Sequence, residues 1–316
     1  MPTEGAARTA ASRILFIAAL AVSASGILSP PMALTAGILL GLTFAHPCAK
    51  FARESARFLL QASVVALGFG MNLHEVLKAG RSGFLYTSVG IAFALLVGLG
   101  IGKLLGVRGN SSLLITSGTA ICGGSAIAAI GPILRADEEE MAVSLGTVFI
   151  LNSVALLTFP LIGWALHLGQ EQFGLWAALA IHDTSSVVGA AAKYGAVALV
   201  VGTTVKLARA LWIVPLALGI AGVKHSKAEL ALPWFILFFG LAAVANSYVP
   251  GASGASGMLY RAGRLGLTAT LFLIGTGISR ETLKQVGWRP MLQGLLLWIV
   301  VALTSLYLIR AGFISF

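Results

Sequence analysis

Two clusters of small polar residues interrupt an otherwise apolar chain: Ser117-Gly118-Thr119-Ala120-Ile121-Cys122-Gly123-Gly124-Ser125 and Ile181-His182-Asp183-Thr184-Ser185-Ser186. In the first, Thr119, Cys122 and Ser125 offer side-chain hydrogen-bond partners, while Gly123 and Gly124 permit backbone angles that an unbroken helix forbids. A helix restarting near Gly124 would present free N–H groups and the positive end of its dipole, a ready seat for an anion. In the second cluster Asp183 is suited to cap a helix start, with Thr184, Ser185 and Ser186 lining the first turn. A histidine ordinarily titrates near neutrality, so His182 and Asp183 are the candidates for carrying a coupled proton. Each feature also has a plain structural reading, as close packing of small residues, an ordinary N-cap or a hydrogen-bonded interior histidine.

Three further polar side chains fall inside apolar stretches. Lys206 and Arg209 share one helical face at i, i+3. Buried cations need a counter-charge, and Asp183 or a bound anion would supply it; the alternative is that both snorkel to the headgroups. Asn152 is either a coordinating amide in ion coupling or an interhelical hydrogen bond. Neither glycine breaks nor carboxylates suit a lipid-facing helix, so these segments should line a polar site enclosed by protein.

The elements that must position them are membrane helices. Hydrophobic residues make up 58% of 316 positions and charged residues 10%, and the mean hydropathy is +0.93, which excludes an ordinary soluble domain. The fold class expected is all-α and polytopic, a single integral membrane domain over 1–316 with about eleven transmembrane helices. The spans read as 12–28, 32–45, 58–71, 84–105, 111–134, 141–168, 173–194, 196–223, 232–249, 263–278 and 291–309. The N-terminal run with Arg8 and Arg13 reads as a first membrane helix behind a short cytoplasmic tail rather than a cleavable signal. With the N-terminus cytoplasmic, the larger share of Lys and Arg falls inside, including Lys50, Arg53 and Arg57.

The formal charge of +10 is scattered between spans and forms no nucleic-acid-binding element. Cys48 and Cys122 have neither disulfide nor zinc spacing. The small-residue run 251–257 reads as a flexible connection.

Two internal similarities stand out. Arg57, Gly68, Gly70 and Gly80 recur as Arg264, Gly275, Gly277 and Gly287 at an offset of 207. By the span count the two copies have opposite orientations, the mark of inverted-repeat transporters whose sites lie at the midplane. Ala120, Ile121 and Ser125 recur as Ala180, Ile181 and Ser185 at an offset of 60. That pairing implies either a re-entrant segment or shared chemistry.

The motifs TSGTAICGGSAIAA at 116–129, AIHDTSSVVGAA at 180–191 and TTVKLAR at 203–209 resemble those of the YeiH-type sulfate exporter family. The resemblance covers essentially the whole chain and places it in the bile acid/arsenite/riboflavin transporter superfamily. It implies a scaffold domain and a core domain with two interrupted helices crossing near the midplane. LGFGMNL at 67–73 is similar to the superfamily's early glycine-rich helix.

The functional expectation is a secondary active transporter exporting a small anion, such as sulfate, sulfite or an organosulfonate, across the bacterial inner membrane. The absence of GxxxxGK[ST] argues against ATP hydrolysis, so a proton or sodium gradient is the expected driving force. Thr119, Cys122, Gly123, Gly124, Ser125, Thr184, Ser185, Ser186, Lys206 and Arg209 are the expected substrate contacts, and His182, Asp183 and Asn152 the ion-coupling residues. No catalytic residue, metal or cofactor is expected beyond the coupling ion. The partners are the anion, the bilayer and a second copy in a homodimer. The alternatives are a cation/proton antiporter using Asp183 and, remotely, an intramembrane hydrolase built on Cys122, His182 and Asp183.

Overall fold

The computed structural model describes residues 3–43, 49–70, 73–107, 109–224, 234–249, 253–277 and 286–314. Cys48, Met71, Asn72, Gly251, Ala252 and the side chains of Arg8, Lys50, Arg53 and Arg57 lie outside the described residues. The described residues are 86% helical with no strand.

In chain order the helices are α1 (Thr3–Ala24), α2 (Pro30–Thr43), α3 (Ala49–Gly68), α4 (Leu73–Leu104), α5 (Ser111–Ala120), α6 (Gly124–Leu134) and α7 (Glu138–Ala165). The remainder are α8 (Gln170–Ala180), α9 (Thr184–Tyr194), α10 (Ala196–Ala210), α11 (Ile213–Lys224), α12 (Trp234–Tyr248), α13 (Ser253–Thr276) and α14 (Trp288–Arg310).

The chain forms two compact units, each assembled from two separate stretches. One comprises Met1–Leu73 and Phe235–Glu281, the other His74–Trp234 and Thr282–Phe316. In the first unit α13 packs against α1, α2 and α3 around Phe16, Leu40, Phe272 and Leu273. Glycines set the distance between backbones: a Cβ on Gly263 would lie 2.9 Å from the Ser63 carbonyl oxygen, and one on Gly275 only 2.5 Å from that of Leu34. Small residues of this kind let apolar helices interlock where no hydrophobic effect drives them together. The glycine pairs related by the offset of 207 end their helices alike. Gly70 N–H donates to Leu67 O and Gly277 N–H to Ile274 O, both at 3.0 Å.

In the second unit α7 packs against α5, α6, α9 and α14, and α10 packs against α8 and α9. Helix α7 starts on a capping box in which Asp137 accepts from Glu140 N–H and Glu140 bonds back to Asp137 N–H. Buried Gln293 on α14 donates to the Gly98 carbonyl, to the Ser112 carbonyl and hydroxyl, and to the Thr116 hydroxyl. Trp176 Nε1 donates to Ala302 O at 2.9 Å, and Phe173 stacks on Tyr194 with centroids 3.8 Å apart.

Four helical stretches among the described residues are long and apolar enough to cross a bilayer: Tyr86–Leu104, Glu139–Ala165, Ala196–Val223 and Trp288–Arg310. The expected segment 196–223 contains a turn at 211–212, between α10 and α11. Pro215 explains it, because its ring nitrogen cannot donate to Leu211 O and its ring crowds that carbonyl. Helix α3 occupies Ala49–Gly68 rather than the expected 58–71. Segments 111–134 and 173–194 are each divided into two half-length helices of 10 or 11 residues. Each half is roughly 15 Å long, about half the hydrocarbon thickness.

Candidate functional site

Both divided helices belong to the second unit, and their interruptions correspond residue for residue at the offset of 60. Helix α5 ends at Ala120 with Ile121 as its C-cap, and α8 ends at Ala180 with Ile181 as its C-cap. The following halves start from Gly123 and Asp183 as N-caps. The two breaks touch: a Cβ on Gly123 would lie 3.4 Å from both Cα and Cβ of Asp183. Two carboxyl ends and two amino ends of helices therefore meet at one crossing.

The chain breaks differently at each place. Ile121 N–H still bonds Ser117 O at 3.1 Å and Gly123 N–H bonds Gly118 O at 2.8 Å, after which Gly123 turns with φ 65° and ψ −127°. That conformation is open to glycine and strained for any residue bearing a Cβ. At the second break Ile181 is extended, and Asn152 of α7 closes the gap. Its Oδ1 accepts from His182 N–H at 3.0 Å and Asp183 N–H at 3.2 Å. The Asp183 carboxylate then caps α9, accepting from Ser186 N–H at 3.2 Å and from the Ser185 hydroxyl.

Lys206 and Arg209 are buried on α10 and form no ion pair with Asp183. Lys206 Nζ donates to Ile181 O at 2.7 Å and Ala178 O at 3.4 Å. Arg209 Nε donates to Ala120 O at 2.7 Å, Nη1 to Leu179 O at 2.5 Å and Nη2 to Thr119 O at 3.4 Å. Both cations thus sit on the carboxyl ends of α5 and α8, where orphan carbonyls and the negative end of the dipole concentrate. Their counter-charges are helix ends. Snorkelling to the headgroups does not describe them.

The amino ends are less occupied. Gly123 has no side chain with which to cap α6. Gly124 is half-buried and Ser125 exposed, whereas Thr119, Cys122, His182, Thr184, Ser185 and Ser186 are buried. Buried polar atoms without a partner gather around the breaks: Ser117 Oγ, Thr119 Oγ1, Asn152 Nδ2 and both ring nitrogens of His182. Burying such atoms unpaired costs about 1–3 kcal/mol each, so they mark a place where hydrogen bonds are completed by something else. With the Asp183 carboxylate engaged by Ser185 and Ser186 and neither ring nitrogen of His182 bonded to a partner, a Cys122–His182–Asp183 relay is not connected.

Sequence reasoning singled out the residues at the breaks but missed Ser117 as a contributor and the carbonyls of Ala120, Ala178, Leu179 and Ile181 as acceptors. Ser117 carried a signal, two residues before Thr119 in the same motif. Backbone acceptors leave none, since every residue has a carbonyl.

The family model described as Conserved hypothetical protein 698 matches residues 9–294. A UPF0324 membrane protein of Bacteroides thetaiotaomicron is 50% identical over 285 residues, covering 89% of this chain and 86% of that protein. Another from Geobacter sulfurreducens is 48% identical over 93% of this chain and 95% of its own length. A third, from Bdellovibrio bacteriovorus, is 46% identical over 99% and 98%. The chain belongs to the UPF0324 membrane protein family. This UPF0324 chain is therefore a membrane protein related to bacterial ones, and its crossing of half-helices lies within the matched span. No solved structure matches it.

Proposed function

We propose that this UPF0324 membrane protein is a secondary active transporter of a small anion in the bacterial inner membrane. The substrate class is an oxidised sulfur species, sulfate, sulfite or an organosulfonate, moved outward as in the YeiH-type exporters that its motifs resemble. One observation carries the reading: two interrupted helices meet at a crossing whose carboxyl ends are neutralised by Lys206 and Arg209. Its amino ends adjoin buried polar atoms that lack partners. Broken helices of this kind are where transporters hold anionic substrates.

The site weighs against cation/proton exchange, because the Asp183 carboxylate that would bind the cation already caps α9 and the helix-end carbonyls already bond Lys206 and Arg209. Each pair of half-helices in series has the length of one span, which supports counting each pair as one of about eleven spans. The matched helix ends at the offset of 207 support a repeat, which the proposed span count would invert across the bilayer.

Purified protein in liposomes tests the proposal. Flux of labelled sulfate, sulfite or taurine under separately imposed proton and sodium gradients is expected for at least one pair. A driven sodium flux with no anion dependence would replace the reading by cation exchange.

A further inference from the structure

The charges at the crossing narrow the substrate. Two cations, Lys206 and Arg209, bond the carboxyl ends of α5 and α8, and the carboxylate at the breaks is that of Asp183, which caps α9. Each helix end is equivalent to about half an elementary charge, so these groups come close to balance. The amino ends of α6 and α9 then leave an excess of about one positive charge. Cys122 and His182 are the other titratable side chains of the breaks.

The contacts open to a ligand are neutral. All three guanidinium nitrogens of Arg209 and the ammonium of Lys206 bond carbonyls. Among the atoms that lack a partner are two hydroxyls of the first break, on Ser117 and Thr119, the amide nitrogen of Asn152 and the ring nitrogens of His182, all on residues more than nine-tenths buried. Asn152 is aimed into the break by the two bonds that its Oδ1 accepts there. Neutral donors orient an oxyanion but add no net charge. In a dehydrated site a second negative charge would stand uncompensated, which is prohibitive.

We infer that the anion accepted here carries one negative charge, as an alkylsulfonate or hydrogen sulfite does, and is not a dianion such as sulfate. The inference rests on the anion-transport reading and selects within it.

Methanesulfonate and sulfate share a tetrahedral sulfur–oxygen group and differ in charge, so they are the probes. Reconstituted protein at equal pH on both sides is loaded with each labelled anion in turn, and the other anion is added as competitor. Methanesulfonate is expected to be carried, and to compete roughly ten-fold or more better than sulfate. Asp183→Asn, which adds one positive charge to the site and retains a capping side chain, is expected to move the preference toward sulfate. Sulfate carried as well as methanesulfonate, or better, overturns the inference and leaves anion transport standing. Flux of neither ion, with none of sulfite or taurine either, overturns both. If Asp183→Asn does not fold, the comparison in the unsubstituted protein still decides.

Discussion

Arg209 is held by geometry as much as by charge. Its fork reaches carbonyls on two different helices from separate nitrogens, a wider span than a lysine's single nitrogen offers. Arg209→Ala leaves the carbonyls of Ala120 and Leu179 buried without a donor, at about 1–3 kcal/mol each. A lower midpoint of thermal unfolding in detergent, followed by tryptophan fluorescence, is the expected outcome; an unchanged midpoint would mean that these carbonyls do not need the guanidinium. Lys206→Ala is expected to lose stability too, so inactivity alone in that variant says nothing about substrate contact. Asn152 makes a cleaner case. Asn152→Ala removes the acceptor for two backbone N–H groups at the second break, costing on the order of 1–3 kcal/mol, whereas Asn152→Asp keeps it. Rescue of the unfolding midpoint by Asp but not by Ala is the expected pattern. The sequence marked all three residues as polar groups in apolar surroundings. What each one bonds was not legible, because the acceptors of the cations and the donors to Asn152 are main-chain atoms.

At the scale of elements, the two breaks are made by different means at equivalent positions. Gly123 needs φ 65° and ψ −127°, so Gly123→Ala is expected to cost about 1–3 kcal/mol in backbone strain and to abolish anion flux in liposomes. Gly124→Ala meets side-chain atoms alone, the outer edge of the Phe149 ring at 2.9 Å and Leu145 Cδ2 at 3.4 Å, and should be tolerated far better. Equal flux in both variants would separate the break from the function. The contact between α2 and α13 offers a second test. A Cβ at Gly275 faces backbone on both sides, 2.5 Å from Leu34 O and 2.9 Å from Ile38 N, and backbone cannot rotate away. Gly275→Leu is therefore expected to lower the yield of folded protein on size-exclusion chromatography, by an overpacking cost of about 1–3 kcal/mol or more. The glycines were legible from sequence as breaks and helix ends, yet which of them mark close approach and which a positive φ was not.

For the whole molecule, both units draw on separated stretches of the chain, 1–73 with 235–281 and 74–234 with 282–316. On the proposed arrangement of about eleven spans, the charge distribution between them would put the N-terminus in the cytoplasm and the C-terminus outside. A reporter active only outside the cytoplasm, fused after Phe316, is expected to be active, and the same reporter fused ahead of Met1 silent. Both fusions active on the same side would remove one span from the count of about eleven.

By itself the sequence determined the solvent and the punctuation of this protein. Composition fixes a helical membrane chain, since a backbone in hydrocarbon must bond to itself, and glycines, Asp183 and Pro215 place interruptions because they act on their own backbone within a few residues. Even the correspondence at an offset of 60 was readable as letters. The tertiary structure decided how those interruptions meet: Gly123 against Asp183, Asn152 across the second gap, Lys206 and Arg209 on helix carboxyl ends rather than on a carboxylate. These pairings join residues 25 to 90 positions apart. They exist because orphan carbonyls and N–H groups must be satisfied by whatever the packing brings near, and one-dimensional order records neither the carbonyl nor the neighbour.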